Sequence, residues 1–220
     1  DMFRNLYFTS TVLIAAIVSA GMFSSIYMLP LYARTVLEAN ATNAGLMLLP
    51  GGLTLALISP LAGRMVDKMP PHRLLLTGVL LFIGSSYAIS YADQFSSFWF
   101  VAGWLMVSRG ALGLIMPSNN TLSLSCMRPE QVPQLNFCRM LGGSTGVNVI
   151  AVLITARTAH YQADMMTAAH TSHLSKAETL DALARTFQDC FLIACLFFSL
   201  ALIPVGYVIY REHKAKNPAT

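Results

Sequence analysis

Arg109 is the residue whose chemistry constrains the protein most, because it is the only charged residue between Gln94 and Met127. Even on permissive insertion scales, an arginine in the middle of an apolar helix costs at least ~2.5 kcal/mol. Such a side chain has to face a polar cavity or a partner, and we expect Arg109 to line a route for a solute. The alternative is a structural role, in which Arg109 pairs with backbone carbonyls or an acid elsewhere and locks the helices together.

The segment from Gly63 to Arg73, GRMVDKMPPHR, holds four formal charges between two apolar stretches. Its adjacent prolines cannot continue a helix, because proline lacks an N–H donor and restricts the preceding residue. The segment therefore predicts a tight turn, with Pro71 as the first residue of the next helix. Lys68 and Arg73 could serve only to orient the chain in a membrane, and Asp67 only to cap that next helix.

Several uncharged side chains could form a binding pocket. Trp104, Asn119 and Asn120 lie in the same apolar stretch as the buried arginine, and Tyr27 and Met28 lie in the first stretch. Aromatic and methionine side chains suit a broad pocket for lipophilic cations or neutral compounds. Tyrosine and tryptophan also anchor membrane interfaces, and asparagines form interhelical hydrogen bonds worth about 1 kcal/mol or less. Both interpretations stay open.

The elements that carry these residues follow from the composition. Only 11% of the 220 residues are charged and 55% are hydrophobic, whereas soluble domains carry about 25% charged residues. The charges fall between apolar stretches, most of which reach the roughly 20 residues that a spanning helix needs. The sequence therefore predicts an all-α, polytopic membrane protein with six transmembrane helices in one unit, 1–220. The predicted spans are approximately 7–33, 43–66, 73–92, 97–124, 134–157 and 187–210, with an external loop at 158–186.

The distribution of Lys and Arg predicts the orientation. Six spans place both ends of the chain on one side, which then holds nine of the fourteen basic residues, against four on the other. Because cytoplasmic loops are enriched in Lys and Arg, we expect both ends to face the cytoplasm. The net charge of +4 then reflects membrane topology and not nucleic-acid binding.

Four residues of the charged segment match a known loop motif. Gly63, Asp67, Lys68 and Arg73 fit G-x-x-x-D-[RK]-x-G-x-[RK]-[RK] of the major facilitator superfamily, while proline and histidine replace two of its other positions. Three further stretches, LMLLPGGLTLALISPLAGRMVDK, SRGALGLIMPSNNTLSLS and NFCRMLGGSTGVNV, follow in matching order. Over essentially its whole length, the chain resembles the C-terminal half of the fourteen-span drug:proton antiporters, the EmrB/QacA-like group.

This resemblance implies one half of a major-facilitator fold, packed against an N-terminal half that the chain lacks. The implied activity is proton-driven export of lipophilic drugs or toxic compounds by alternating access, in a bacterial inner membrane. The implied partners are a small lipophilic substrate, protons, the lipid bilayer and, in some hosts, a periplasmic adaptor. An exporter of one specific metabolite or siderophore, and a non-transporting membrane scaffold or sensor, are the alternatives.

The resemblance also implies roles for particular residues. In such transporters the loop aspartate, here Asp67, holds cytoplasmic helix ends together in the outward-facing state through cations on neighbouring helices. Arg128 and Arg139 are the candidate partners, and Arg139 matches the signature arginine of the family. Spans one and four line the substrate path, and the RG-x-x-G that begins at Arg109 recurs in the family. Snorkelling to the membrane interface is the alternative for Arg139.

Some chemistry is absent from the sequence. No Asp or Glu lies deep in a predicted span, so we expect the proton-coupling carboxylate of an antiporter to lie outside this chain. H-E-x-x-H does not occur, and no pair of acids lies inside a predicted span to run hydrolysis, so we expect no enzymatic activity and no cofactor. His170 and His173 lack further ligands, so we expect no metal site. We expect span six to be peripheral and lipid-facing, and the GGSTG of span five to allow close helix packing.

Overall fold

The computed structural model describes residues 6–91, 98–125, 132–169 and 176–216, and its regular structure there is entirely helical. Six of the helical stretches are long and apolar enough to cross a membrane, the sixth being formed by α6 and α7 together. The predicted all-α, six-span fold is confirmed. The helices are α1 (Leu6–Thr35), α2 (Ala41–Val66), α3 (Pro71–Ile89), α4 (Phe98–Leu124), α5 (Val132–Ala169), α6 (Lys176–Ser199) and α7 (Leu202–Lys216).

Local signals in the sequence set the helix ends between α1 and α3. Asn40 caps α2, since its side chain accepts a hydrogen bond from the backbone N–H of Asn43 at 2.8 Å. Helix α2 ends at Val66, and α3 begins at Pro71, as predicted from the two prolines. The N-cap of α3 is Pro70, without a side-chain hydrogen bond. The proposal that Asp67 caps this helix is therefore wrong.

The prediction of a loop at 158–186 is wrong, because most of this segment is helical. Helix α5 continues to Ala169 and α6 begins at Lys176, while residues 170–175 lie outside the described part. The physical reason is that neither glycine nor proline occurs between Val147 and Ile203, so nothing in the sequence stops either helix.

The sixth span also differs from prediction. Its helix is interrupted at Leu200 and Ala201, because Pro204 supplies no N–H and its ring crowds the carbonyl four residues earlier. The span is not simply peripheral either, since Phe187, Cys190 and Phe198 are buried among the other helices. Among the described helices, α2 and α5 are the more exposed. Only 12% of the most apolar 18-residue stretch of α2 and 17% of that of α5 are buried.

The helices pack as two groups of three spans. In the first group α4 lies between α2 and α3, and in the second α1 lies against α5 and the α6–α7 span. Contacts of α1 with α2 and α4, and of α3 with α6, join the groups. Two apolar clusters run through the joint, one around Tyr32, Leu105 and Phe187 and the other around Val79 and Ile115.

Glycines allow the closest helix approaches. A Cβ atom at Gly142 of α5 would lie 2.8 Å from the Cα of Ala16 in α1, and one at Gly146 would lie 2.6 Å from the Cα of Ala20. Contacts this short leave no space for any side chain larger than hydrogen. The two helices therefore touch through backbone over a full turn, as small-xxx-small pairs do in membranes. The packing role predicted for GGSTG is confirmed.

Candidate functional site

Arg109 lies near the middle of α4 and is 6% exposed, although it is an arginine in a membrane-spanning helix. No carboxylate of the described residues lies within ion-pair distance of it. On the same helix, Leu105 and Leu112 lie about one turn from Arg109 and Ser108 directly precedes it, and all three are buried as well. The structure thus holds a buried guanidinium that no acid in this part of the chain neutralises.

Gly51 of α2 determines how close that guanidinium stem lies to the neighbouring helix. A Cβ atom at position 51 would lie 3.0 Å from Cγ of Arg109 and 3.0 Å from Cγ of Leu105. The arginine stem therefore passes over the α2 backbone at a point where only hydrogen fits without adjustment. A Cβ atom at the adjacent Gly52 would meet no atom within 4 Å. Gly51 is not among the site residues predicted from the sequence, where its position within P-G-G is the only signal.

Asn120 and Arg139 form a direct link between α4 and α5. One terminal guanidinium nitrogen of Arg139 donates a hydrogen bond to Oδ1 of Asn120, and both side chains are partly buried. These residues were predicted to have different roles, Asn120 in the substrate path and Arg139 in the cytoplasmic gate. The structure brings them together, so a solute or a gating partner would have to compete with this bond.

The other predicted pathway residues have different environments. Tyr27 is 43% exposed near the end of α1, whereas Met28 beside it is 2% exposed in the apolar cluster with Tyr32. Trp104 is partly buried and packs against the same cluster. Asn119 is 2% exposed, and its Oδ1 has no hydrogen-bond partner in the described part of the chain. Trp104 and Tyr27 thus retain contact with the surface of this unit, while Arg109, Met28 and Asn119 lie inside it.

The charged segment lies at the turn between α2 and α3. Asp67, Lys68 and Arg73 are all exposed, and Asp67 forms no ion pair with any described residue. Arg139, one of its two predicted partners, bonds to Asn120 instead. Arg128, the other, lies outside the described residues. Gly63 is partly exposed, and a Cβ atom there would meet nothing within 4 Å, so close packing inside this unit does not require glycine.

A polar cluster that is not among the predicted site residues joins α5 to α6. Asp189 accepts a hydrogen bond from the Tyr161 hydroxyl at 2.7 Å and lies 3.4 Å from the Arg157 guanidinium. Thr158 and Thr186 approach each other at 3.5 Å on the same pair of helices. These contacts hold the two helices together at this end. They could not be foreseen while residues 158–186 were interpreted as a loop.

Comparison with known proteins agrees with this arrangement. The model of the family described as "Major Facilitator Superfamily" matches residues 1–151. Lincomycin resistance protein LmrB of Listeria monocytogenes is 25% identical over 206 residues, covering 92% of this chain and 42% of the relative. Multidrug resistance protein B homolog of Mycobacterium tuberculosis is 25% identical over 165 residues, covering 72% and 31%.

Multidrug export protein EmrB of Escherichia coli is 25% identical over 170 residues, which covers 75% of this chain and 33% of that protein. The chain spans only about a third of the length of the curated relatives that it matches, 31% to 42% among those named here. Three observations point to the same conclusion: the helices of spanning length, the buried charge in the fourth of them and the family match over more than half of the residues. The chain is an integral membrane protein that belongs to the Major Facilitator Superfamily and is similar to its drug-efflux members.

Proposed function

We propose that the chain is the C-terminal half of a fourteen-span, proton-driven exporter of lipophilic drugs or toxic compounds. Its spans pack against an N-terminal half, and the two halves alternate access to a shared path near the middle of the bilayer. Three relatives, named for multidrug resistance, lincomycin resistance and multidrug export, support the substrate class. Both ends of the chain face the cytoplasm in a bacterial inner membrane, and in some hosts a periplasmic adaptor is a further partner.

The observation that carries the proposal is the buried, acid-free environment of Arg109. Keeping an uncompensated charge in a spanning helix is costly, and intramembrane charges therefore mark solute paths. The positive charge of Arg109 is compensated by the other half, by water in the path or by the solute itself. Trp104 and Tyr27, which retain exposed surface, contribute apolar contacts to the same path.

Proton coupling requires a titratable group in the membrane. The only acid within the predicted limits of the six spans is Asp189, which contacts Tyr161 and Arg157 of α5. Asp189 lies next to the start of the uncharged run 190–210, which by itself is about as long as a bilayer core is thick. This places Asp189 near the edge of the membrane. The coupling carboxylate therefore belongs to the N-terminal half.

Efflux from intact bacteria tests this function. The complete transporter would be expressed in cells that lack their own efflux pumps, and a preloaded lipophilic dye would be followed with and without a protonophore. We expect efflux that stops with the protonophore and falls at least tenfold in Arg109→Ala at matched membrane levels. Arg211→Ala, which removes an exposed cation at the end of α7, should retain wild-type efflux.

The same assay distinguishes the alternatives. Efflux of one compound from a broad panel would indicate an exporter of a specific metabolite or siderophore. No efflux of any compound from well-expressed wild-type protein would contradict the proposal and favour a membrane scaffold or sensor. Efflux by the wild-type protein that continues in the presence of the protonophore would contradict the proton-driven mechanism but not the export of drugs.

A further inference from the structure

A small cavity lies where the two helix groups meet, and α1, α3, α4, α5 and α6 all contribute to its wall. Met28 and Ile89 on this wall belong to one apolar cluster of the joint, and Phe82 and Phe198 belong to the other. Each of these four side chains is at most 3% exposed. The cavity therefore lies inside the packed helices, and not on a face that the rest of the transporter could cover.

Four serines bring hydroxyl groups to this otherwise apolar cavity. Ser24 and Ser25 come from α1, Ser86 from α3 and Ser108 from α4. Ser24, Ser86 and Ser108 are buried. Serines of three helices, which belong to both helix groups, thus converge on one small space.

The hydroxyl of Ser25 is the polar group in this place that most needs a partner. A serine inside a helix can donate to a carbonyl three or four residues earlier, as Ser85 and Ser90 of α3 do at 2.9 and 2.6 Å. The buried Oγ of Ser25 forms no hydrogen bond with any described residue. A buried hydroxyl without a partner is unfavourable. The other three serines can also bind a further partner, because a hydroxyl that donates one hydrogen bond still has two acceptor positions.

The size and composition of the cavity select its ligand. The centre of a water molecule has about 20 Å³ in which to lie, and a buried water needs roughly 10–15 Å³ by this measure and two to four polar partners. Drug-sized compounds need about 300–1,000 Å³. Divalent cations bind through carboxylates, and no acid is among the described residues that line the cavity. We propose that the cavity holds an ordered water molecule, which hydrogen-bonds to serines of α1, α3 and α4 and ties the two helix groups together.

Radiolytic labelling of the complete, purified transporter in lipid nanodiscs tests this proposal. An X-ray pulse converts water into hydroxyl radicals where the water lies, so side chains beside a buried water are oxidised, and mass spectrometry locates the products. Phe82 and Phe187 are a matched pair, since they are 2% and 1% exposed and only Phe82 lines the cavity. We expect Phe82 to be oxidised at least five times faster than Phe187. Equal rates for the two phenylalanines would overturn the proposal.

Serine-to-valine variants provide a second test. Ser86→Val replaces a hydroxyl partner with methyl groups that occupy the cavity, and we expect the oxidation rate of Phe82 to fall at least fivefold. Ser199→Val should leave that rate unchanged, because Ser199 of α6 is partly exposed and lies outside the cavity. Ser25→Val fills the cavity from α1 and provides the same test if Ser86→Val fails to insert. An unchanged rate in a correctly inserted cavity-filling variant would contradict a water at this place.

A change of salt separates water from a bound monovalent cation. The labelling would be repeated in sodium, potassium and choline chloride at equal ionic strength. We expect the same oxidation rate of Phe82 in all three salts, because an uncharged ligand needs no countercharge in the cavity. A rate that falls when sodium or potassium replaces choline would overturn the assignment to water and make the cavity a cation site.

Discussion

Gly51 of α2 and Arg109 of α4 are in such close contact that a Cβ atom on the glycine would lie 3.0 Å from Cγ of the arginine. The position of the buried guanidinium thus depends on a residue of another helix, 58 positions earlier in the chain. Since the stem of Arg109 is fixed against the α2 backbone, its charged end is directed by packing and not by an ion pair in this part of the chain.

Gly51→Ala should therefore impair transport by displacing Arg109. The added methyl group has to move two side chains of α4 by a few tenths of an ångström, so we expect a reduction in efflux of several-fold without loss of insertion. Gly52→Ala is the matched control, because a Cβ atom there meets nothing within 4 Å. Dye efflux at matched membrane levels measures both. Equal efflux from the two variants would show that the position of the Arg109 stem is unimportant.

Gly142→Ala should destabilise the fold through the α1–α5 contact. Its methyl group would collide with backbone atoms of Ala16, and overpacking of this kind typically costs about 1–3 kcal/mol. Thermal unfolding of the purified transporter in detergent should show a lower midpoint. Gly84→Ala on α3, where the new Cβ atom meets nothing within 4 Å, should leave the midpoint unchanged or raise it slightly. A Gly142→Ala midpoint equal to that of Gly84→Ala would contradict the close helix contact.

Asn120 and Arg139 should be energetically coupled. Interhelical hydrogen bonds in membranes contribute about 0.6 kcal/mol on average and at most about 1.7 kcal/mol. A double-mutant cycle with Asn120→Ala and Arg139→Ala, based on the free energy of unfolding, should give a coupling in that range. Asn119, which has no bond to Arg139, is the control, and a cycle with Asn119→Ala should give a coupling near zero. Similar values in both cycles would contradict a specific bond.

The fold could be predicted from the sequence to a considerable extent. Long apolar stretches specify spanning helices because every backbone polar group in a bilayer has to be satisfied within the helix. The turn before Pro71 and the small residues at Gly142 and Gly146 also follow from local chemistry. The helical segment after Arg157 was missed because its polar residues resembled a loop, although neither glycine nor proline interrupts it.

The candidate site could be predicted only in part. Arg109 was identifiable because a charge inside an apolar stretch requires an explanation wherever it points. Its contact with Gly51 and the bond between Asn120 and Arg139 depend on how three helices pack, and sequence spacing contains no such information. Met28 and Asn119 show the same limit, because residue type suggested a pocket while packing placed both inside the helix bundle.

Transport by purified protein tests the role of Arg109 most directly. The complete transporter would be reconstituted into proteoliposomes with an imposed proton gradient, and dye uptake and proton movement would be recorded together for wild type, Arg109→Ala, Arg109→Lys and Arg211→Ala. We predict coupled movement of dye and protons in wild type and Arg211→Ala, at least a tenfold loss in Arg109→Ala, and partial recovery in Arg109→Lys because the charge is retained. Full coupled transport by Arg109→Ala would contradict the account.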